Sequence, residues 1–265
     1  FLQSYIDKPA GIDHDLILVF NGFASEKATL EYEALAGDIR HASLFIKEPR
    51  FDIRSYYMAA DAFGHDVYCL LNSYSVILDN GWLAKLYDSA SQPQVGLVGA
   101  TGSALSWHSH LLDTRDVLKT TAPYRGPVGR LRLMARVGFY TRYFEPFPNY
   151  HVRTTGFMMS RELFLRVRPT RRLALSTKVA TYLFESGNNS MTKQIQRMGL
   201  RTLVIGRDGR AYDPDAWWES NTFWQDHQRN LLIADNQTNR FTGADTEEQW
   251  RLARSAWGAR AAVGA

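Results

Sequence analysis

The feature that most restricts the fold is a strand, helix and strand pattern within residues 66–102. An apolar run at Val67–Leu71 ends in four polar residues, 72–75, a helical pattern covers 80–90, and a second apolar run follows at 95–98. The preceding chain repeats this order, with apolar runs at 15–20 and 42–46 and helical patterns at 25–37 and 52–63. Near-continuously apolar strands joined by helices are typical of a parallel sheet covered on both faces. We therefore predict an α/β fold with a mostly parallel sheet flanked by helices.

The pattern changes after residue 102, where we predict an insertion at 104–146. It contains a predicted amphipathic helix at 128–143, because apolar and small residues at helical spacing share one face: Leu131, Met134, Ala135, Gly138 and Phe139. The alternation then resumes with a strand at 152–159, helices at 161–167 and 190–198, and a strand at 203–205. We interpret 1–265 as one domain with a helical C-terminal segment at 207–265, in which 217–235 is helical and 243–265 forms one exposed helix.

Polar side chains follow two of the predicted strands at the point where each strand ends. Asn72, Ser73 and Ser75 follow one strand, and Thr101 and Ser103 follow the next. In open α/β sheets, ligands bind in the crevice at the carboxyl ends of the parallel strands. We therefore predict a ligand site at this edge; the alternative is that these residues only cap the strand ends and form their turns.

The basic residues are unevenly distributed along a chain whose net charge is +4. Arginines concentrate in two stretches, which contain Arg125, Arg130, Arg132, Arg136 and Arg142, and Arg161, Arg166, Arg168, Arg171 and Arg172. Such clusters favour an anionic partner: a diphosphate, a lipid head group or a nucleic acid. Solvated helix faces are the alternative explanation.

Several classes of protein are disfavoured by what the sequence lacks. No apolar run is long enough to span a bilayer, which argues against an integral membrane protein. The single cysteine, Cys69, lies inside an apolar run, which indicates a buried thiol in a reducing, cytoplasmic compartment. No dinucleotide-binding glycine motif, Walker A motif or serine elbow occurs, and His108 and His110 have no third residue at zinc-site spacing.

A series of short motifs gives the chain a family resemblance. In order, they are FNG at 20–22, FDIRSYYMAA at 51–60, LLNSYS at 70–75, GWLAKL at 81–86, VGLVGATGS at 95–103, RTTGFMMSRELF at 153–164 and FESGNNSMTKQIQRMGLR at 184–201. Over residues 15–206 the series resembles the GT-A glycosyltransferases, closest to glycosyltransferase family 2. The resemblance implies a GT-A-like, Rossmann-like fold and a nucleotide-sugar donor, for which we expect a UDP-sugar.

The resemblance also assigns donor-binding residues. It implies nucleotide contacts for Asn21, Gly22 and Asp52, and donor contacts at 72–75 through Asn72, Ser73 and Ser75. In the family this last position is an Asp-x-Asp-like motif that holds a divalent metal, whereas here it has no carboxylate, and hard cations prefer carboxylate oxygen. The sequence therefore names no metal ligand and leaves open whether Mg²⁺ or Mn²⁺ takes part. Without a metal, Arg153, Lys178 or an arginine of the insertion would neutralise the diphosphate.

Glu185 occupies the position at which the family carries its catalytic base, just before a late helix. A carboxylate there would deprotonate the acceptor hydroxyl in a single displacement with inversion. The alternative is that Glu185 stabilises the dipole of the following helix from its N-terminal turn.

Acceptor or sugar contacts are predicted for Thr101, Ser103, His151 and Trp224. Each has a structural alternative: Thr101 and Ser103 belong to a glycine-flanked turn, His151 is a lone histidine, and Trp224 belongs to a tryptophan-rich segment suited to core packing.

The resemblance implies transfer of a sugar to a glycan or lipid-linked acceptor in bacterial cell-surface polysaccharide biosynthesis, such as that of capsule or lipopolysaccharide. The basic helix at 128–143 suggests peripheral contact with the inner face of the cytoplasmic membrane. A lid helix whose arginines face water is the alternative. Two alternatives stay open. One is a catalytically inactive GT-A-like module that binds nucleotides or carbohydrates; the weaker one is a single-stranded nucleic-acid binder suggested by the arginine clusters. The interspersed acids and the absence of an RNA-binding signature count against the second, so we expect no nucleic-acid partner.

Overall fold

A computed structural model describes residues 1–37, 39–169 and 177–264. Arg171 and Arg172 of the second arginine cluster lie outside the described residues. The α-helices are α1 (Leu2–Asp7), α2 (Leu30–Ala36), α3 (Asp52–Ala62), α4 (Trp82–Ala90), α5 (Trp107–Thr120), α6 (Gly126–Tyr143), α7 (Arg161–Arg166), α8 (Lys178–Ser186), α9 (Met191–Arg197), α10 (Asn236–Thr242) and α11 (Thr246–Trp257). The strands are β1 (Leu16–Asn21), β2 (His41–Ile46), β3 (Val67–Leu71), β4 (Val76–Ile77), β5 (Val95–Gly99), β6 (Gly102–Ser103), β7 (His151–Val152), β8 (Gly156–Ser160), β9 (Arg201–Ile205), β10 (Ala211–Tyr212) and β11 (Ile233–Ala234).

The central sheet has five strands in the order β10-β9-β5-β8-β3. Strands β5 and β9 pair in parallel, and β8 runs antiparallel to both β5 and β3, so β3, β5 and β9 share one direction. Strands β1 and β2 form a separate parallel pair. The predicted α/β fold, with helices on both sides of a mainly same-direction sheet, is confirmed.

The helices pack on the sheet through the apolar faces that their spacing predicts. Helix α3 buries Ile53, Tyr56 and Tyr57, and Tyr57 stacks on Phe164 with a centroid distance of 4.1 Å. On the opposite face, α4 buries Trp82, Leu83 and Leu86 against the sheet. Burial raises the pKa of the Cys69 thiol to about 12, as expected for a packed residue and not for a nucleophile.

The insertion is a helical hairpin of α5 and α6, and α6 packs through a face other than the predicted apolar one. The buried residues of α6 are Gly129, Leu133 and Tyr140, whereas Leu131 and Met134 are 68% and 70% exposed. Gly129 lies so close to the Tyr124 backbone that a Cβ atom would be 2.4 Å from its carbonyl carbon. The face of α6 with Gly129 and Tyr140 therefore packs against the protein, and the face with Leu131 and Met134 points outward.

The segment at 217–235 was predicted to be helical, and this is wrong. It contains part of a 3-10 helix at Pro214–Ser220, a second one at Asp226–Gln228 and strand β11. Residues 224 and 226–228 all have positive φ, which a regular helix does not allow. The tail was predicted as one exposed helix, but α11 buries Leu252, Ala253, Ala256 and Trp257, and the separate helix α10 precedes it.

Candidate active site

A cleft of about 540 Å³ opens beside the sheet edge at which β3 and β5 end and β8 begins. At this edge the Asn72 amide donates to the Thr155 carbonyl, and the Arg153 amide donates to the Thr101 carbonyl. The predicted site residues that line the cleft are Asp52, Ser103, His151, Arg153, Lys178, Glu185 and Trp224. Parts of the chain that are far apart in sequence therefore contribute polar side chains to one cavity.

Glu185 is the carboxylate at the centre of this arrangement. Its Oε2 atom accepts hydrogen bonds from the Thr154 amide, at 2.9 Å, and from the Thr154 hydroxyl. Glu185 lies in the last turn of α8, whereas the following helix, α9, begins at Met191 with Ser190 as its N-cap, so Glu185 is not in the N-terminal turn of that helix. The helix-dipole alternative for Glu185 therefore lacks support. Thr154 holds the Glu185 carboxylate in a fixed orientation through Oε2, and the other carboxylate oxygen, Oε1, is turned to His151.

His151 is buried and lies beside Glu185. Its Nδ1 atom is 2.8 Å from the Asn149 carbonyl oxygen, which can only accept, so Nδ1 carries the proton and donates it. Its Nε2 atom is 4.0 Å from Glu185 Oε1. Burial lowers the pKa of His151, and the nearby Glu185 carboxylate only partly opposes this. The imidazole is therefore neutral at neutral pH and presents an unprotonated nitrogen to the Glu185 side of the cleft.

The burial of neutral His151 predicts a pH dependence of stability. As pH falls through about 6.5, the unfolded chain binds a proton that the folded protein excludes, so the free energy of unfolding falls until the pH reaches the folded pKa. The slope from one such group is at most about 1.4 kcal/mol per pH unit. We expect the free energy of unfolding, measured with urea at several pH values between 5 and 8, to change less steeply with pH in His151→Gln than in the native protein. Equal slopes would contradict the burial of a neutral imidazole.

Arg153 supplies a buried cation to the cleft. Its guanidinium group lies 4.1 Å from the centre of the Phe223 ring, and its Nη2 atom is 3.3 Å from Asp235 Oδ2. Asp235 is fixed in turn, because its Oδ1 atom accepts from the Gln237 and Thr238 amides at the start of α10. The Nη1 atom of Arg153 is buried and has no hydrogen-bond partner among the described residues. Arg153 thus contributes a buried positive charge with an unused donor to the lining of the cleft, and such a cation is suited to an anionic ligand.

Lys178 and an aromatic cluster form another wall. Trp107 stacks on Tyr182 at a centroid distance of 4.8 Å, and His110 contacts Trp107 edge-on. Lys178 Nζ lies 5.8 Å from the centre of the Tyr182 ring. The cluster joins the base of the α5–α6 hairpin to α8, the helix that carries Glu185.

Two further arginines of the cleft share one carboxylate partner. Arg240 Nη2 lies 2.6 Å from Glu248 Oε1, and Arg251 pairs with the same carboxylate. These hydrogen bonds lower the pKa of Glu248 to about 2. Arg240 and Arg251 are therefore paired, whereas the Nη1 atom of Arg153 is not.

The remaining predicted residues have other surroundings. Asn21 exchanges two hydrogen bonds with the Arg50 backbone, and Gly22 has a φ of +83° and lies against Pro49. Neither lines the cleft. Asp52 lies at its rim, where surrounding protein desolvates the carboxyl and raises its pKa.

The strand-end residues 72–75 lie behind the cleft wall. Asn72 Oδ1 accepts from the Tyr74 amide at 2.9 Å and from the Ser75 hydroxyl, which also lies 3.2 Å from the Thr155 carbonyl. Ser73 is exposed, Thr101 is buried, and neither lines the cleft. Thr155 thus separates Asn72 and Ser75 from the Thr154 that holds Glu185.

The residues at 72–75 do not fit the divalent metal that the resemblance implies. Their oxygens are neutral, and Asn72 Oδ1 and the Ser75 hydroxyl are engaged within the turn. The nearby carboxylate of Asp79 accepts from Lys85 Nζ at 2.5 Å. Among the described residues there is also no group of three His, Cys, Asp or Glu side chains that could hold a metal ion.

Sequence reasoning missed several residues that build the cleft. The strand predicted at 152–159 is interrupted between β7 and β8, and Thr154 uses this interruption to reach Glu185. The Thr-Thr-Gly sequence at 154–156 was the available signal. Asp235 and Phe223 were missed because they fall in the segment assigned to a helix. Trp224, predicted to contact sugar, is 5% exposed, stacks on Phe223 at 4.5 Å and donates to the Gln237 carbonyl, so its contacts are those of a packing residue.

Comparisons with known proteins give a likeness in structure and no family match. No family model matches the chain, and no curated protein matches it. Among solved structures, it is similar to the mannosyltransferase PcManGT from Pyrobaculum calidifontis, solved in complex with GDP-mannose and Mn²⁺, with a TM-score of 0.42 and 13% sequence identity. The likeness covers 72% of this chain and 45% of that chain, so this chain matches less than half the length of that protein.

Proposed function

We propose that the protein is a glycosyltransferase that moves a sugar from a nucleotide-sugar donor to a hydroxyl acceptor. The observation that supports this most directly is one cleft in which Thr154 fixes the Glu185 carboxylate and the buried Arg153 guanidinium keeps a free donor. Group transfer from a phosphorylated donor needs these two functions, a base for the incoming hydroxyl and a cation for the departing phosphate. The motif series described above narrows the class from group transfer to sugar transfer.

In the proposed reaction, Glu185 accepts the proton of the acceptor hydroxyl as its oxygen attacks the anomeric carbon. The bond between this carbon and the diphosphate oxygen breaks at the same time, and both bonding electrons leave with the nucleoside diphosphate. Arg153 stabilises the charge that develops on the leaving oxygen, and Lys178 at the rim adds a second positive charge. A single displacement of this kind inverts the configuration at the anomeric carbon.

The nucleotide and the acceptor are narrower parts of the proposal. We propose a UDP-sugar donor and a glycan or lipid-linked acceptor of bacterial cell-surface polysaccharide, on the support of the motif series alone. Asp52 at the cleft rim is the residue proposed to contact the nucleoside.

Incubation of the protein with a panel of UDP-, GDP- and dTDP-sugars, with and without Mn²⁺, tests the proposal. We expect slow hydrolysis of one donor class, observed by NMR as release of the nucleoside diphosphate with an inverted sugar product. Hydrolysis that does not require Mn²⁺ would agree with the neutral side chains at 72–75. If no donor is hydrolysed, with or without Mn²⁺ and with or without added acceptor glycans, the proposal of sugar transfer is contradicted.

An inactive binding module is the second candidate, and one specific observation favours it. The Asp-x-Asp-like position has no acidic residue, and Asn72 and Ser75 form hydrogen bonds within their own turn. Such a module would bind a nucleotide sugar, measured by calorimetry, without turnover. Turnover of any donor would exclude it.

A further inference from the structure

The outward face of α6 combines apolar and basic side chains. Val128, Leu131 and Met134 are 75%, 68% and 70% exposed. A helix turns by about 100° per residue, so Leu131, two residues beyond the buried Gly129, points away from the protein, and Arg130 and Arg132 flank it on either side. The face is therefore an aliphatic ridge with a cation along each side, the opposite of the polar outer face of an ordinary surface helix.

The charge around this ridge has one sign. Residues 117–144 contain no Asp or Glu, and their basic residues are Lys119, Arg125, Arg130, Arg132, Arg136 and Arg142. Arg136 packs on the protein through Tyr124 and Tyr140, whereas Arg130 and Arg132 are exposed and form no ion pair with any described residue. The ridge therefore has free positive charge beside its apolar side chains.

We propose that the α5–α6 hairpin docks on the surface of an anionic lipid bilayer through this face of α6. A bilayer can bind both the apolar and the basic side chains of this face, because aliphatic side chains enter the boundary of the acyl chains while arginines contact anionic head groups. A nucleic acid would use the arginines but leave Leu131 and Met134 in water. A second copy of the chain would bring two faces of the same charge together. No described helix is long and apolar enough to cross a bilayer, so the proposed contact is peripheral.

The hairpin connects this face to the cleft. Trp107, the first residue of α5, lines the cleft and stacks on Tyr182 of α8, while Tyr140 of α6 packs beside Trp107 at 6.2 Å. A docked hairpin would hold the cleft close to the bilayer, where a lipid-linked acceptor would be found; this last step rests on the proposed function. Docking itself does not depend on sugar transfer.

Sedimentation of the full chain with vesicles tests the docking. We expect the protein to sediment with vesicles of phosphatidylcholine and phosphatidylglycerol but not with phosphatidylcholine alone, and to be released by added salt. The variant Leu131→Gln/Met134→Gln should bind at least about tenfold more weakly, because two apolar side chains no longer enter the bilayer. Arg130→Gln/Arg132→Gln should lose about tenfold or more through the lost head-group attraction.

Helix α2 offers a matched control. Leu30 and Leu35 are 58% and 64% exposed but neighbour Glu31 and Glu33, so Leu30→Gln/Leu35→Gln should bind vesicles within about twofold of the native protein. Circular dichroism checks that each variant is folded, and nucleotide-sugar hydrolysis without vesicles should be the same in all of them.

Four outcomes would overturn the docking proposal. The first is that the native protein does not bind anionic vesicles at low salt, and the second is that Leu131→Gln/Met134→Gln binds vesicles as well as the native protein. The third is that the α2 control loses as much vesicle binding as Leu131→Gln/Met134→Gln. The fourth is a salt-sensitive affinity for oligonucleotides that depends on Arg130 and Arg132 while vesicle binding does not.

Discussion

Glu185→Gln should lower the turnover number by about 10²- to 10⁴-fold, the usual contribution of a general base. Gln keeps the shape of the side chain, and its carbonyl oxygen can still accept from the Thr154 amide that holds Glu185 at 2.9 Å. It cannot take a proton from an acceptor hydroxyl. Donor affinity, measured by calorimetry, should therefore change little while transfer is nearly lost.

Two further variants separate the loss of a base from a loss of structure. Glu162→Gln removes an exposed carboxylate from the first turn of α7, outside the cleft, and should leave turnover unchanged. Thr154→Val removes the hydroxyl bond to Glu185 but keeps the backbone bond, so we expect a smaller loss of turnover than for Glu185→Gln. If Glu185→Gln turns over at the native rate, Glu185 is not the base, and the proposed mechanism is wrong even if the protein transfers sugars.

The sequence predicted the strands of the sheet well because their apolar runs leave a strong signal. Strand β3 has the predicted bounds, Val67–Leu71, and α3 begins at Asp52 as predicted. A short, continuous apolar run can be buried most simply as a strand of a sheet, so the structure predicted from the local sequence pattern agrees with the observed one. The outward face of α6 shows the limit of this reasoning. Both sides of that helix contain apolar residues, and the side that packs is the one on which Gly129 contacts Tyr124 and Leu133 and Tyr140 are buried.

The site followed the motif series more than the strand ends, because of the residues predicted at the strand ends only Ser103 lines the cleft. Glu185 and Arg153, which belong to the motif series, line the cleft together with His151. The partners that fix them were not predictable, because Thr154 fell inside a predicted strand and Asp235 inside a predicted helix. The backbone follows an irregular path here, with positive φ at Trp224, Asp226, His227 and Gln228, and no hydrophobic periodicity in the sequence indicates such a path. This path brings Phe223 and Asp235 to Arg153.

Replacing the ion pair of Arg153 and Asp235 by Arg153→Gln/Asp235→Asn should weaken donor binding by about 10- to 150-fold. This range corresponds to the loss of one charge-assisted hydrogen bond, about 1.5–3 kcal/mol. The double change is needed because Arg153→Gln alone would leave the buried Asp235 carboxylate without its counter-charge, which costs about 3–5 kcal/mol of folding stability. Asn at 235 keeps an oxygen that can cap α10, since Asn and Asp are comparable helix caps.

Asp235→Asn alone is the matched control, because it removes the same carboxylate but leaves the Arg153 guanidinium in the cleft. It leaves this buried cation without its counter-charge, so it too should lose about 3–5 kcal/mol of folding stability. Donor affinity in this variant should stay within a few fold of the native value, and thermal unfolding of the single and double variants can be compared directly. A double variant that binds the donor as tightly as Asp235→Asn would show that Arg153 acts only in folding. The leaving diphosphate would then have to be stabilised by Lys178, whose replacement by Gln would cause the larger loss.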